Sequence, residues 1–313
     1  ATLSNFNETI MAEPEPRPSN IGQVRVSAGN NSQWNINGNG IFLPTGRTTD
    51  ILPSGVYQTI ATQSGIGAIS IPVQSDGLID LPDMATQMVL NEVETFWNSE
   101  EKYRKHNLLY KRGIILYGPP GSGKTVTVKM LMAKIIERGG LVFFCTNTNL
   151  TTLALRELRN IEPTRKVVVV LEDVDEIINF NGEASVLSML DGEHNIDNVL
   201  NLATTNYIDR LAARVINRPS RFDRRVEIGM PSADSRRAYF QHATGNNLIA
   251  DDLDLWVKET DNMSIAHLRE LVASVYCLDQ NFTDVVNRLR SMAEPPRSKN
   301  DGWKSRSTPG FTS

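Results

Sequence analysis

Residues Gly118-Pro119-Pro120-Gly121-Ser122-Gly123-Lys124-Thr125 satisfy the spacing G-x-x-x-x-G-K-[ST] without a mismatch. The apolar run Gly113-Ile114-Ile115-Leu116-Tyr117 precedes them and reads as a buried strand, and residues 126–138 after them carry helical periodicity. Strand, glycine-rich loop and helix in that order leave the chain few folds, because the loop must leave a parallel strand and open a helix. The glycines let backbone N–H groups turn inward around an anion, and the positive end of the helix adds to the attraction. In such a cradle Lys124 reaches the β- and γ-phosphates of ATP and the Thr125 hydroxyl ligates Mg²⁺. Pro119, Pro120, Gly121, Ser122, Gly123 and Val126 complete the phosphate-binding set.

The rest of the chain agrees with that start. Apolar runs at 113–117, 141–145, 167–171, 199–203 and 226–228 alternate with helical stretches near 124–138, 151–160, 183–191 and 208–216. Val167-Val168-Val169-Val170-Leu171 has no polar alternation, so both faces of that strand are expected to be buried. The fold class is α/β, a P-loop doubly wound parallel sheet over residues 79–231. A helix at 83–98 leads into this core, with Asp83 as its cap. Pro231 ends the alternation, and residues 232–292 form a helical lid with helices at 235–243, 253–260, 265–278 and 282–291. Upstream, short runs at 23–26, 56–60 and 68–71, separated by Gly, Asn and Pro, give a small β-rich accessory module over 21–78. That module is near the lower size limit for independent stability and needs a neighbour to hold it. Residues 1–20 form a flexible, proline-bearing arm and 293–313 a flexible tail around Trp303 and Phe311.

Composition narrows the function classes. With 313 residues, a formal net charge of −4 and a pI near 5.7, the chain is no general polyanion binder. Cys145 and Cys277 both sit in apolar surroundings and read as small core residues in a reducing compartment. No apolar run approaches the length of a membrane span, and the N-terminus lacks the layout of a secretion signal, so the expected location is cytoplasmic.

A second signature follows the third apolar run. Glu172-Asp173 puts two adjacent carboxylates at a strand end facing the phosphate loop, one for the Mg²⁺ sphere and one to orient the attacking water. Val199-Leu200-Asn201-Leu202-Ala203-Thr204-Thr205-Asn206 and Arg218-Pro219-Ser220-Arg221-Phe222-Asp223-Arg224 come next in the chain. With these four motifs in this order, residues 80–291 resemble an AAA-family ATPase of the AAA+ superfamily. The resemblance implies that Asn206 positions the hydrolytic water, and that Arg218 and Arg221 reach the γ-phosphate held by an adjacent subunit. By position, Glu172 takes the metal-side role and Asp173 the catalytic role; the inverse assignment stands as the alternative. In the lid, His267 falls near the adenine and Arg269 near the phosphates, and residues 78–81 fall at the adenine edge.

The chain departs from the family twice. Most members have Asp-Glu where this chain has Glu172-Asp173, an order similar to the mitochondrial inner-membrane AAA ATPases that move a folded Rieske protein. Asp is one methylene shorter than Glu, which implies slow hydrolysis. Threading members carry an aromatic-apolar-glycine loop after the second strand, whereas Thr146-Asn147-Thr148-Asn149-Leu150-Thr151-Thr152-Leu153 has neither aromatic residue nor glycine. The resemblance therefore implies a Mg-ATP-dependent, chaperone-like ATPase that works as a homo-oligomeric, hexameric ring on a protein client. The alternatives are a nucleic-acid-linked loader, initiator or helicase-like ATPase, disfavoured by the acidic pI, and a nucleotide-switched assembly subunit with slow hydrolysis.

Overall fold

The computed structural model describes residues 33–36, 41–45, 49, 51–63, 65–72, 79, 81–82, 84–191 and 196–293. The arm at 1–20, the expected strand at 23–26, the Asp83 cap and the tail with Trp303 and Phe311 lie outside the described residues.

The first four described strands are β1 (Gln33–Ile36), β2 (Ile41–Thr45), β3 (Gly55–Thr62) and β4 (Gly65–Ile71). Helices α1 (Met84–Trp97) and α2 (Glu100–Lys105) lead into the alternating region. There β5 (Lys111–Tyr117), α3 (Lys124–Glu137), β6 (Leu141–Phe144), α4 (Thr148–Ile161) and β7 (Val167–Leu171) follow one another. Then come α5 (Val174–Asn181), α6 (Glu183–Asp191), β8 (Val199–Thr205), α7 (Ala213–Ile216) and β9 (Arg224–Glu227). The single helix expected at 208–216 is instead a short 3₁₀ turn, Ile208–Arg210, followed by α7, because Ala212 takes an extended backbone (φ −57°, ψ 139°) between them.

The nine described strands belong to one sheet in the order β1-β2-β4-β3-β6-β7-β8-β5-β9. The segment from β6 to β9 is parallel throughout, with β5 between β8 and β9. Alternate residues of each buried strand serve opposite faces, as a doubly wound sheet requires. Val167, Val169 and Leu171 pack with Leu155 and Leu158 of α4, whereas Val168 and Val170 pack with Leu131 and Ile135 of α3.

The N-terminal strands continue this sheet. β3 pairs parallel with β6, matching Val56 to Val142 and Tyr57 to Phe143, and β4 and β2 add on antiparallel. Trp34, Phe42, Leu52 and Tyr57 lie in the same apolar cluster as Phe143, Leu155 and Ile161. A buried carboxylate pins the join: Glu162 Oε1, at the end of α4, accepts from Leu52 N (2.7 Å) and Trp34 Nε1 (3.2 Å). Burial pushes the Glu162 carboxyl above its ordinary pKa, while these donors and Arg165 pull it partly back. Glu162→Ala strips the buried Leu52 N–H of its acceptor, at a cost of about 1–3 kcal/mol. Hydrogen exchange should then show β3 and β4 opening at least about tenfold more often while β5, β7 and β8 stay protected.

The lid is a separate helical layer with its own core: α8 (Ala233–Ala243), α9 (Ala250–Glu259), α10 (Ile265–Val272) and α11 (Phe282–Ala293). Phe240, Trp256, Leu268, Leu271 and Val286 fill it, and Ile79 and Leu81 pack against it from before α1. The Ser232 and Ser264 hydroxyls cap α8 and α10 by accepting backbone N–H bonds, which sets where each helix begins. After Val272 the helix widens to i→i+5 winding over Ala273–Cys277, closed by Leu278 N to Ala273 O (3.2 Å). The wider turn carries the chain out to solvent, so Cys277 is exposed and only Cys145 is the buried core cysteine expected from sequence. Among the described residues, no helix is long and apolar enough to cross a membrane.

Candidate nucleotide site

The phosphate loop leaves the carboxyl end of β5 and opens α3. Gly123, the residue before the helix, has φ 109°, a left-handed backbone that glycine adopts without strain. Lys124 follows and is buried, its Nζ donating to Gly118 O (2.8 Å) and Pro119 O (2.9 Å). Burial pulls the Lys124 ammonium below the ordinary lysine pKa, and the charge of Asp173 pulls it partly back up.

A cavity of about 530 Å³ opens above the loop, between the core and the lid. Pro120, Gly121, Lys124 and Thr125 form its floor, and Asp173, Thr204 and Asn206 its wall at the ends of β7 and β8. Arg269 and Glu270 of α10 close it from the lid. A narrower apolar slot, lined by Ile79, Leu81, Tyr239 and Ile265, adjoins it and shares Gly123, Val126 and Ile265 with it. Ser122 Oγ lines this slot and is buried with no hydrogen-bond partner in the protein. A basic, polar cavity joined to an apolar slot has the layout a nucleoside triphosphate needs, phosphates in one part and base in the other. The donor set also suits Mg²⁺. No cluster of three His, Cys, Asp or Glu residues exists among the described residues. Mg²⁺ uses one or two protein oxygens and takes its other ligands from phosphates and water.

The structure brings most of the residues expected from sequence into this cavity and leaves others outside it. Asp173 faces it; Glu172, expected on the metal side, is half-buried and does not line it. Asn206 Nδ2 lies 3.5 Å from Asp173 Oδ1, which brings the two ends of β7 and β8 together. His267 lines neither cavity nor slot, because its Nδ1 lies 2.6 Å from Ser264 Oγ at the start of α10. Tyr239 and Ile265 stand at the slot instead, and neither carries a sequence signal beyond helical periodicity. Thr204 also went unread, although it belongs to the motif that ends in Asn206.

Arg218 and Arg221 point differently. The Arg218 side chain is 63% exposed and only loosely paired, 3.6 Å from Asp191. Arg221 is 6% exposed and forked onto Asp191, Nε at 2.6 Å and a terminal nitrogen at 2.7 Å, with a further bond to the Arg214 carbonyl. The guanidinium beside Asp191 holds that carboxyl below the usual range. Arg214 pairs with Glu183, Arg224 with Glu92, and Arg210 stacks over the Tyr207 ring at 3.8 Å. These three are tied up within the chain.

The stretch from Thr146 forms no projecting loop. Asn147 caps α4 by accepting from Leu150 N (3.0 Å), and Asn181 of α5 bridges Thr146 O and Thr148 N at 3.1 Å each. Beside Asn181, Phe180 is 82% exposed.

A phosphate loop after β5 of the parallel sheet, an acidic pair at the end of β7 and a helical lid define a P-loop nucleotide-binding protein. Residues 114–230 match the family model described as the ATPase family associated with various cellular activities (AAA). These residues therefore form a domain of that family.

Similar curated proteins include the ATP-dependent zinc metalloprotease FtsH 3 of Sphaerobacter thermophilus, 31% identical over 57% of this chain and 40% of its own length. Proteasome-activating nucleotidase 2 of Haloferax volcanii is 27% identical over 74% of this chain and 61% of its own length. The probable mitochondrial chaperone bcs1 of Schizosaccharomyces pombe is 30% identical over 68% of this chain and 49% of its own length. The chain thus spans between 40% and 61% of the length of these three relatives.

Proposed function

We propose that the chain is a Mg-ATP-dependent ATPase that works as a ring oligomer, hexameric by family resemblance, to remodel or move a protein partner. The observation that carries this reading is the 530 Å³ cavity in which Lys124, Thr125, Asp173 and Asn206 converge under the lid. The names of the three relatives, a protease, a proteasome-activating nucleotidase and a chaperone, support a protein as the partner.

In this reading the backbone of residues 119–123 and the Lys124 ammonium hold the triphosphate, and Ile79, Leu81, Tyr239 and Ile265 hold the base. Thr125 and Asp173, both lining the cavity, would hold Mg²⁺, which would neutralise charge on the phosphate oxygens. Asp173 and Asn206 orient the attacking water. Arg218, outward and weakly paired, supplies the guanidinium to a neighbouring subunit, while Arg221 keeps the same loop in place. Phe180, exposed next to the start of α4, is the side chain best presented to a protein client.

Lys124→Ala tests the reading at its base. The full chain should bind a fluorescent ATP analogue and release phosphate, and the variant should bind it at least about tenfold more weakly, since a charge-assisted phosphate contact is worth roughly 1.5–3 kcal/mol. Equal affinity in the two chains would remove the nucleotide assignment. The Glu172-Asp173 order favours a second reading, a nucleotide-dependent switch with slow turnover. ATP-dependent assembly seen by native mass measurement without phosphate release would select it.

A further inference from the structure

Asp173 has an unusual local geometry. It occupies the N-cap position of α5, where an aspartate ordinarily adopts extended backbone angles and folds its carboxylate back onto the first helical N–H groups. Here it does neither. Its backbone is left-handed, φ 48° and ψ 62°, and its carboxylate makes no capping bond to its own helix. A non-glycine residue in that region costs about 1–3 kcal/mol and persists only where its surroundings over-determine it. The carboxylate thereby faces the cavity, with Asn206 Nδ2 at 3.5 Å.

Thr204 engages Asp173 at its backbone N–H. Its hydroxyl, on the next strand, accepts the Asp173 backbone N–H at 3.0 Å. Thr204 is buried, 3% exposed, and lines the same cavity. Its neighbour is occupied elsewhere: the Thr205 hydroxyl donates to Asp175 Oδ1 (2.9 Å) and accepts from Tyr207 N (3.1 Å). The two threonines thus act on different targets, and only Thr204 engages the backbone of Asp173.

We infer that Thr204 is a positioning residue that diverts Asp173 from capping α5 to facing the nucleotide. The inference rests on the reading of Asp173 as the carboxylate that orients water. A competition underlies it. In one arrangement Asp173 gains a cap bond and relaxed backbone angles; in the other its N–H is paired with Thr204 and its carboxylate is left free for the cavity. Removing the Thr204 hydroxyl takes away the partner that favours the second arrangement. For a side chain one methylene shorter than glutamate, the gain in reach from this backbone conformation matters more than it would for the longer acid.

The test uses the full chain and four proteins: parent, Asp173→Asn, Thr204→Val and Thr204→Ser. Valine keeps the shape of threonine and lacks the acceptor; serine restores the acceptor. The Thr204→Val chain should release phosphate about 100-fold more slowly, the usual consequence of a displaced reacting group, with unchanged ATP-analogue affinity. Thr204→Ser should recover most of the rate. A Thr204→Val chain as fast as the parent, or a serine variant as slow as the valine variant, overturns the inference. If Asp173→Asn turns over normally, the reading of Asp173 fails instead, and the two failures are told apart. A crystal structure of Thr204→Val supplies a readout independent of turnover: Asp173 should leave the left-handed region and bond to the first turn of α5. A retained left-handed Asp173 overturns the inference even in a chain with no measurable hydrolysis.

Discussion

Phosphate release by an Arg218→Ala chain should fall by roughly 10³- to 10⁵-fold while its affinity for ATP stays unchanged. The expectation comes from how the two arginines of one loop are placed. Arg221 has spent its guanidinium on Asp191 and on the Arg214 carbonyl, whereas Arg218 stands 63% exposed with a single weak partner. A guanidinium acts on a phosphoryl transition state only if it is free to approach it, so the loss of rate should fall on Arg218. In the proposed ring, where this group serves the neighbouring site, mixing Arg218→Ala subunits with Lys124→Ala subunits should restore some turnover where an intact loop abuts an intact arginine. A variant that turns over at the parent rate would remove the trans contribution, and a variant that loses ATP binding would make Arg218 part of its own subunit's pocket.

Gly113→Ala should cost about 4 kcal/mol or more, or prevent folding altogether, although it adds one methyl group to a strand rich in apolar residues. A Cβ at this position would stand 1.7 Å from the carbonyl oxygen of Arg221. Backbone lies against backbone there, so no side chain can swing aside to make room. Asp223 reinforces the approach by accepting from Gly113 N at 2.9 Å and from Ser220 N at 3.0 Å. Chemical denaturation with circular dichroism measures the loss. A change within about 0.5 kcal/mol of the parent, the usual range for an innocuous surface substitution, would mean that the loop gives way without cost.

The alternating core was legible because its signals are local. The glycines, Lys124 and Thr125 are contiguous, and Val167 to Leu171 announce a two-faced strand by lacking any polar residue. The helices after Pro231 were legible from their periodicity. The destination of the N-terminal strands was not. Alternation at 56–60 indicates a strand but carries no information about its partner, and the pairing of Tyr57 with Phe143 is a matter of tertiary fit. The difference between Arg218 and Arg221 was equally hidden, because the two residues are chemically identical and only the place of Asp191 separates them. His267 misled for a similar reason: a histidine in the first turn of a helix has a nearby serine to bond, and Ser264 claimed it. Cys277 misled because an apolar neighbourhood in sequence says nothing about a helix that changes its winding.

The pairing of β3 with β6 has a mechanical consequence. A strand joined to the parallel sheet by a four-residue backbone ladder, and clamped at its rear by Glu162, cannot swing on a hinge of its own. A tilt imposed on the β7 and β8 ends would therefore pass sideways through that ladder, and β3 would follow the pocket instead of moving independently of it.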